Sequence, residues 1–463
     1  MNRALRSAIS RIAVAAAVGL AWSVSSASAA DLGGNCCADL EERVAELEAT
    51  TARKGNRKMS LTISGQVNTA LMWWDDGITS DVYGVDNANS RSAFQFDGTA
   101  KINPDVTAGY SMVVAIATGA RSHQTNQIGG DATGIGDDSG APADSTIAVE
   151  VAFWYLDSKH LGKLSVGRIN GASSGTTVVD LGGVGVIANS NIGLWQRAMF
   201  LTQGAANSPN TITWTNMMGG SIVDIASLNR SNGVRYDTPI WNGFSAAAAF
   251  GEDDMFDAAL RYAGEFSGFR LAAAIGWSQN SCGVNDCNDV APFTSPLKDV
   301  RNNKWQGSAS VLHVASGLFL SGAYLKLSYD CAGPGANCPG SINSFTGGGL
   351  VAGEQRPDTT MLYLLGGITK NWFGIGNTSL YAEYAKVDGG ADGLTLGGDS
   401  VFNTEVKLWG LGVVQNIDAA AMELYLGYRK YSADFDSLAG APFGVGGDIN
   451  DFDVVMGGAR VKF

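Results

Sequence analysis

Side chains suited to catalysis are few in this sequence and lie far apart. The histidines His123, His160 and His313 are widely separated, and no serine–histidine–aspartate arrangement stands out around them. Residues 183–188, GVGVIA, fit a dinucleotide-binding fingerprint as a string, but that fingerprint needs a preceding strand and a following helix, which the flanking sequence does not suggest. The Asp- and Gly-rich segment 129–144 is more typical of a solvated loop than of a Ca²⁺ site. We therefore expect no enzyme activity, no cofactor and no metal ion.

The cysteines fall into three local pairs: Cys36–Cys37, Cys282–Cys287 and Cys331–Cys338. The second and third pairs lie in Gly-, Pro- and Asn-rich segments without histidine, and their spacings differ from those of a zinc ribbon. Disulfides are permitted in an exported protein, so both pairs are predicted to staple loops. Two interpretations stay open for the first pair, namely a covalent link between subunits or no partner within this sequence.

The N-terminus carries the pattern of an export signal. Three arginines precede an apolar run that ends near Val24, and Ala27-Ser28-Ala29 follows as a small-residue cleavage site. The run is shorter than the roughly 20 residues of a membrane-spanning helix, so residues 1–29 are predicted to be a secretory signal peptide. Its removal takes away three arginines and lowers the net charge from −13 to −16. Such an acidic chain is not expected to bind nucleic acid, which requires Lys and Arg at the phosphates.

Residues 30–57 form a separate predicted segment on the periplasmic side. Within it, Leu40, Val44, Leu47 and Thr51 recur at spacings of four, three and four, which indicates a short helix with a coiled-coil seam. Two heptads are too short to be stable alone, so copies are expected to associate only if the rest of the chain already holds them together. The alternative is a short solvated helix or a disordered linker.

After Met59 the hydrophobic period changes from helical to two, which is the period of a strand. In the first segment Leu61, Ile63 and Val67 occupy one face, and amide and hydroxyl side chains occupy the other. The same alternation recurs many times, up to the C-terminal segment that ends in Phe463. Long strands of this kind belong either to a large soluble sandwich or to a membrane barrel that is apolar outside and polar inside.

The lengths of the connections favour the barrel. Sixteen candidate strands span residues 60–74, 91–102, 106–119, 146–158, 161–169, 229–238, 243–251, 255–264, 268–278, 303–313, 317–329, 358–369, 376–388, 401–415, 420–431 and 452–463. Connections after the even-numbered strands are short, whereas those after the odd-numbered strands are mostly long and rich in Gly, Asp and Asn. This is typical of an outer-membrane barrel. The predicted fold is therefore an all-β transmembrane antiparallel β-barrel over residues 58–463, with about 16 strands and 18 as the alternative; strands 317–329, 358–369 and 376–388 alternate poorly.

Four segments resemble those of general bacterial porins. SLTISGQVN resembles their first strand, LGKLSVGRING the strand before their constriction loop, SNGVRYDTPIWNGFSAAAAFG the strands after it, and GARVKF their closing strand. With the N-terminal coiled coil, the chain most resembles porins of α-proteobacteria. The resemblance implies a homotrimer in the outer membrane of a Gram-negative bacterium, among its lipids and lipopolysaccharide. It also implies passive diffusion of small hydrophilic solutes and ions past an inward-folded loop, and recognition of Phe463 by the outer-membrane assembly machinery.

In this family the constriction sets arginines of the barrel wall against acids of the inward-folded loop, which here corresponds to residues 170–228. The resemblance implies wall arginines at Arg168 and Arg235, and alternation adds Arg91. Alternation places Arg168 on the lipid side, so we expect a bulge or a strand end there. Between Asn170 and Val223 the sequence holds a single acid. The predicted constriction residues are Arg91, Arg168, Asp180, Arg235 and Asp237, and the predicted lining residues are Ser64, Gln66, Asn68, Gln95, Asp97, Thr99, Lys101 and Glu150.

A diffusion porin is the first interpretation, and two alternatives remain. A substrate-specific channel is favoured if aromatic side chains stack along the lumen, and a structural barrel that tethers the envelope is favoured if the protein conducts nothing. The acidic composition predicts weak cation selectivity that fades as salt screens the charges.

Overall fold

The computed structural model describes residues 58–116, 121–127, 147–204, 206–207, 212–219, 230–251, 255–282, 300–331, 357–392, 395–396, 399–437 and 448–463. The chain divides into the units Met1–Gly55 and Asn56–Phe463, and every described residue belongs to the second. The predicted signal peptide, the predicted coiled coil and Cys36 and Cys37 lie outside the described residues.

Sixteen strands of the described residues form one closed sheet. They are β1 (Ser60–Asp75), β2 (Ala93–Lys101), β3 (Val106–Ile116), β4 (Ile147–Ser158), β5 (Gly162–Ile169), β6 (Ser231–Asp237), β7 (Phe244–Gly251), β8 (Phe256–Phe266), β9 (Phe269–Cys282), β10 (Val300–His313), β11 (Leu318–Cys331), β12 (Thr359–Lys370), β13 (Thr378–Asp388), β14 (Asp399–Ile417), β15 (Met422–Ser437) and β16 (Phe452–Lys462). Each pairs antiparallel with the next. All sixteen predicted strands are confirmed, with boundaries that differ by a few residues.

The C-terminal strand closes the barrel. β16 pairs with β1 from Gln66 opposite Lys462 to Asp75 opposite Asp453. One residue further on, Phe463 and Gly65 exchange two backbone hydrogen bonds, of 3.0 and 2.9 Å. The ring of Phe463 lies on the outer face, 5.5 Å from that of Phe94. Closure leaves no unpaired strand edge, which a bilayer does not tolerate because it offers no hydrogen-bonding partner.

One additional strand, Ser80–Asp86, was not predicted. It pairs with the second half of β1, from Thr69 to Asp75, while β2 pairs with the first half. A tight turn joins the added strand to β1, and the Asp76 carboxylate accepts hydrogen bonds there from the backbone N–H groups of Ile78 (2.9 Å) and Thr79 (2.7 Å). A short 3₁₀ turn at Ala88–Ser90 then leads into β2.

The predicted alternation is visible in the burial of β1. Val67 and Leu71 are 51% and 66% exposed on the outer face, while Asn68 and Met72, the residues that follow each of them, are fully buried on the inner face. The described helical elements are short, including α1 (Trp214–Met218), and none is long and apolar enough to cross a membrane.

Candidate functional site

The residues between β5 and β6 contact the inner face of the barrel; residues 170–204 and 212–219 are called the interior segment below. Asp257 of β8 accepts hydrogen bonds from the backbone N–H groups of Ala172 (2.9 Å) and Ser173 (3.0 Å). Ser379 of β13 donates to the Gly182 carbonyl oxygen at 2.8 Å. The segment thus runs along the inner wall from β8 to β13 and beyond, held by polar side chains of the strands.

An apolar core joins the interior segment to the wall from β10 round to β1. Wall residues in it include Leu325, Met361, Tyr381, Leu408, Val454 and Met72, and segment residues include Val184, Ile187, Ile192, Trp195, Trp214 and Met217, all with little or no exposure. This core explains the poor alternation of β11, β12 and β13. Their inner faces pack against protein instead of water, so both faces of these strands are apolar.

A buried ion pair holds the same part of the segment. Arg429 of β15 donates from Nε and Nη2 to the two carboxylate oxygens of Glu383 on β13, at 2.7 and 2.9 Å. Its guanidinium lies 4.4 Å from the centre of the Trp195 ring. The neighbouring Tyr431 hydroxyl donates to the Ile192 carbonyl oxygen at 2.7 Å. Since Glu383 and Arg429 are fully shielded from solvent, this pair fixes the interior segment to the wall.

Glu150 is the centre of a charged cluster on the opposite wall. Its carboxylate pairs with Arg91 and lies 3.5 Å from Arg230 Nη1, and its backbone oxygen accepts a hydrogen bond from Arg168 Nε at 3.1 Å. A β-bulge causes this placement, because Val113 pairs with Val151 and Val114 with Val149, which leaves Glu150 as the extra residue. The structure therefore brings together three of the predicted residues: Arg91, Arg168 and Glu150.

Residues 121–127, between β3 and β4, add two groups that were not predicted. The backbone of Arg121 forms an isolated parallel β-bridge with that of Asp86, and His123, two residues further on, is buried. Burial, followed by the positive charges of Arg197, Arg121 and Arg91, holds the pKa of His123 well below its usual value. Both residues precede a long Gly- and Asp-rich stretch, where no periodicity indicates which way a side chain points. We call the whole set the Glu150 cluster: Asp86, Arg91, Arg121, His123, Glu150, Arg168, Arg197 and Arg230.

Arg235 and Asp237 form a second charged pair, on β6. Arg235 Nη2 lies 2.7 Å from Asp237 Oδ1, and Nη1 donates to the Gly171 carbonyl oxygen at 3.0 Å. The pair thus supports the beginning of the interior segment. Arg168 lies on the same face of β5 as Leu164 and Val166, and β5 ends at the next residue, so the expected strand end is present.

Asp180 lies within the interior segment and is half-buried. Its carboxylate accepts hydrogen bonds from the backbone N–H groups of Gly182 (2.6 Å), Val184 (2.8 Å) and Gly185 (3.0 Å). Burial raises the pKa of this carboxyl, and these three bonds oppose the rise. The GVGVIA string therefore forms a turn around Asp180, with no flanking strand and helix of the kind that bind a dinucleotide.

The lining residues predicted from β1 and β2 share one face of the sheet. Ser64 is opposite Gln95 in the register, and Gln95 donates to Asp97 at 2.8 Å. Asn68 donates to the Ser90 carbonyl oxygen at 2.7 Å, and Gln66 to Ser90 Oγ at 2.9 Å. Thr99 bonds Ser60 at 2.9 Å, and Lys101 is exposed at the end of β2.

The predicted disulfides fall partly outside the described residues. Cys282 and Cys331 end β9 and β11, and both are in register with Val300 of β10. Cys287 and Cys338 lie outside the described residues, so both pairings stay predictions. Within the described part of the chain, no group of His, Cys, Asp and Glu is arranged to hold a metal ion.

A closed sixteen-stranded antiparallel barrel with an apolar outer face and charged inner walls defines the class of outer-membrane channels. The family model described as Gram-negative porin matches residues 13–436, so the chain belongs to that family. It is a multi-pass outer-membrane protein that forms a water-filled channel for passive diffusion.

Solved structures support the fold. The anion-selective porin from Comamonas acidovorans aligns over 88% of this chain and all of its own, with a TM-score of 0.53 and 16% identity. The outer membrane channel DcaP of Acinetobacter baumannii aligns over 89% of this chain and all of its own, with a TM-score of 0.51 and 10% identity. No curated protein matches this sequence.

Proposed function

We propose that the interior segment is the constriction loop of this porin and that solutes pass between it and the wall from β2 to β8. The apolar core is the observation that carries this proposal. It shields the central inner positions from β10 to β1 from solvent, so permeating water at that level has to use the remaining arc. The inner positions of that arc carry polar side chains such as Gln95, Asp97, Lys163, Arg235 and Asp237.

The Glu150 cluster, with Arg235 and Asp237, supplies the charged part of this passage. On the inner side, the cluster sets Arg91, Arg121, Arg197 and Arg230 against the two acids Asp86 and Glu150, while Arg168 lies on the outer face of β5. Asp180 is the single acid of the interior segment, and backbone N–H groups of its own turn bind its carboxylate, so this part of the loop adds little opposing field. The passage is therefore positive at its narrowest part although the chain as a whole is acidic.

Local charge and total charge give opposite expectations for ion selectivity. Charges on the outer loops are screened beyond about 10 Å at 0.1 M salt, whereas the arginines line the path itself. We therefore propose that the cluster favours anions and opposes the weak cation selectivity predicted from composition. The Comamonas acidovorans porin is anion-selective, which is a property of that protein and makes the same test relevant here.

Conductance of single channels in planar bilayers, combined with reversal potentials in a salt gradient, tests both parts. We expect an ohmic conductance with a reversal potential of the anion-selective sign. A reversal potential of the cation-selective sign would show that the total charge of the chain, and not the cluster, sets the selectivity. An absence of conductance would contradict the channel function itself. Conductance blocked by one solute class would support the alternative of a substrate-specific channel, for which the inward aromatic pair Phe153 and Tyr155, 6.2 Å apart, is the relevant feature.

We further propose that the channel works without catalysis and that the protein is a homotrimer, as is typical of porins. The predicted signal peptide, periplasmic coil and Phe463-dependent assembly complete the proposal. An unboiled sample that migrates as an SDS-resistant oligomer, three times the heated mass, would support the trimer, and migration at the monomer mass would contradict it.

A further inference from the structure

Two aromatic rings project from β4 into the barrel, on an arc where the inner positions are mostly polar or small. Phe153 and Tyr155 lie between Glu150 and the short turn that leads to β5, and their ring centres are 6.2 Å apart. Both side chains are half-buried, and neither is among the described residues of the apolar core. Their neighbours in the register are small residues: Ser111, Gly109, Gly167 and Ser165. The two rings are therefore open to the inside of the barrel.

The ammonium group of Lys163 lies over this pair of rings. Its Nζ atom is 4.0 Å from the centre of the Tyr155 ring and 5.6 Å from that of Phe153. The phenol end of Tyr155 lies against Gly109, where a Cβ atom would collide with it, so the ring can lie along the wall. The quadrupole of an aromatic ring attracts a cation placed over its face. The pair thus already binds an alkylammonium group, one that belongs to the chain itself.

Acidic side chains surround the pair. Asp157 and Asp237 are both opposite Lys163 in the register, and the negative charges of Asp97 and Asp157 act on the Tyr155 hydroxyl. Within the described part of the chain, the Lys163 ammonium forms an ion pair with neither of the two carboxylates opposite it. Three carboxylates stand against two cations here, Lys163 and the arginine that pairs with Asp237. This stretch of the wall is therefore suited to a cationic group, in contrast to the Glu150 cluster.

We propose that the Phe153–Tyr155 pair is a binding site for small solutes that carry an alkylammonium group, and that Lys163 is a tethered competitor for this site. The proposal rests on the proposed passage along the wall from β2 to β8. The ammonium of the solute takes the place of Nζ over the rings, and Lys163 turns on its flexible stem to Asp157 or Asp237. One ammonium replaces another, so the rings keep a cation and Lys163 gains a carboxylate partner.

Block of the single-channel current by choline tests the site. The variant Phe153→Leu/Tyr155→Leu, called the pair variant, removes both aromatic faces and keeps apolar side chains. It should bind choline about fivefold to tenfold more weakly than wild type, which is the size of effect expected from two cation–π contacts. Trp154→Leu is the matched control and should leave the block unchanged, because Trp154 lies between the two rings in sequence and is 50% exposed on the outer face.

Lys163→Met tests the competitor. Removal of the tethered ammonium should strengthen the choline block about fivefold, because the rings are then vacant. Lys101→Met is the control, since it removes the same charge from the same inner face at the end of β2, away from the rings. In the pair variant, Lys163→Met should strengthen the block no more than Lys101→Met does. Equal gains from the two lysine substitutions in wild type would show a general effect of charge and would overturn the role of Lys163.

The uncharged isostere of choline, with carbon in place of nitrogen, defines the ligand. It should block wild type as weakly as choline blocks the pair variant. Equal block by choline and its isostere, or equal choline block of wild type and the pair variant, would overturn the site. Current in potassium chloride without choline separates this result from the proposed function: the variants should all conduct, whereas wild type without conductance would contradict the channel itself.

Discussion

One irregular residue, Glu150, brings a carboxylate into the charged cluster that is proposed to border the pore. In a regular β4 strand, side chains would alternate strictly between the inner and outer faces. The bulge interrupts this alternation and places the Glu150 carboxylate beside Arg91 and Arg230. One acid thereby balances part of a strongly positive wall. Its removal leaves Arg91 and Arg230 without that counter-charge.

Glu150→Gln is therefore expected to increase the preference for anions. A unit charge about 4 Å from an ion in bulk-like water contributes about 1 kcal/mol, so the anion-to-cation permeability ratio should rise roughly fivefold. Reversal potentials in a salt gradient measure the ratio. Glu265→Gln is the control, because Glu265 pairs with Arg270 at an exposed turn. An unchanged ratio in Glu150→Gln would show that the cluster does not border the ion path.

His123 predicts a dependence of stability on pH. Its folded pKa is depressed, so the unfolded chain binds the proton first as the pH falls below about 6.5. Above that pH the histidine is neutral in both states and does not affect stability. Below that pH this group lowers the free energy of unfolding by up to about 1.4 kcal/mol per pH unit.

The midpoint of heat unfolding in detergent should thus fall less between pH 7.5 and pH 5 in His123→Gln than in wild type. His160→Gln is the matched control, since His160 is exposed in the turn after β4. Equal pH dependence in His123→Gln and wild type would contradict the assigned role of His123.

At the scale of elements, the interior segment packs against strands that lack the alternating pattern typical of a barrel. β11, β12 and β13 are apolar on both faces because one face meets lipid and the other meets the segment. The Glu383–Arg429 pair crosses this apolar region and joins two strands to the segment. If the interior segment is the constriction loop, we expect this pair to affect the pore through the position of the segment.

Arg429→Met should loosen the segment and destabilise the barrel by about 3–5 kcal/mol, because Glu383 is then buried without a counter-charge. The double variant Glu383→Gln/Arg429→Met should recover most of this loss and restore a quiet open channel. Unfolding midpoints and single-channel current noise measure the two effects. Arg270→Met, at an exposed pair, should change stability by less than about 1 kcal/mol. Equal noise in the single variant and wild type would exclude a positioning role for Arg429.

At the scale of the whole molecule, the barrel and the N-terminal segment are expected to make separable contributions. The sheet closes without residues 36–55, since β16 pairs with β1. A two-heptad coil is stable only where other contacts already hold its copies together.

Deletion of residues 36–55 should therefore leave single-channel conductance unchanged and lower the temperature at which the oligomer dissociates. Semi-native gels of samples heated in steps measure that temperature, and planar bilayers measure the conductance. A deletion of nearly equal length that contains the Asp- and Gly-rich segment, residues 128–146, serves as a control for shortening the chain. Loss of channels in the first deletion would contradict the division of roles.

The sequence by itself determined the barrel. Two sequence patterns indicate it: the alternation with a period of two, and the alternation of short and long connections. Both depend on local chemistry, so they are visible without knowledge of tertiary contacts. The same alternation placed Arg235 on the inner face and predicted a bulge or a strand end at Arg168. It also predicted that Phe463 would belong to the closing strand, because that strand repeats the pattern of the others.

Only the tertiary structure decided what the inner wall touches. The poor alternation of β11 to β13 has its cause in residues 170–219, far away in the sequence, and alternation cannot reveal a partner that arrives from a distant loop. The bulge at Glu150, the hydrogen-bonded turn at Asp180 and the positions of Arg121 and His123 are equally hidden from a sequence pattern. The interior segment is long and irregular and folds back into the barrel, where hydrogen bonds and packing with many strands fix each side chain at once.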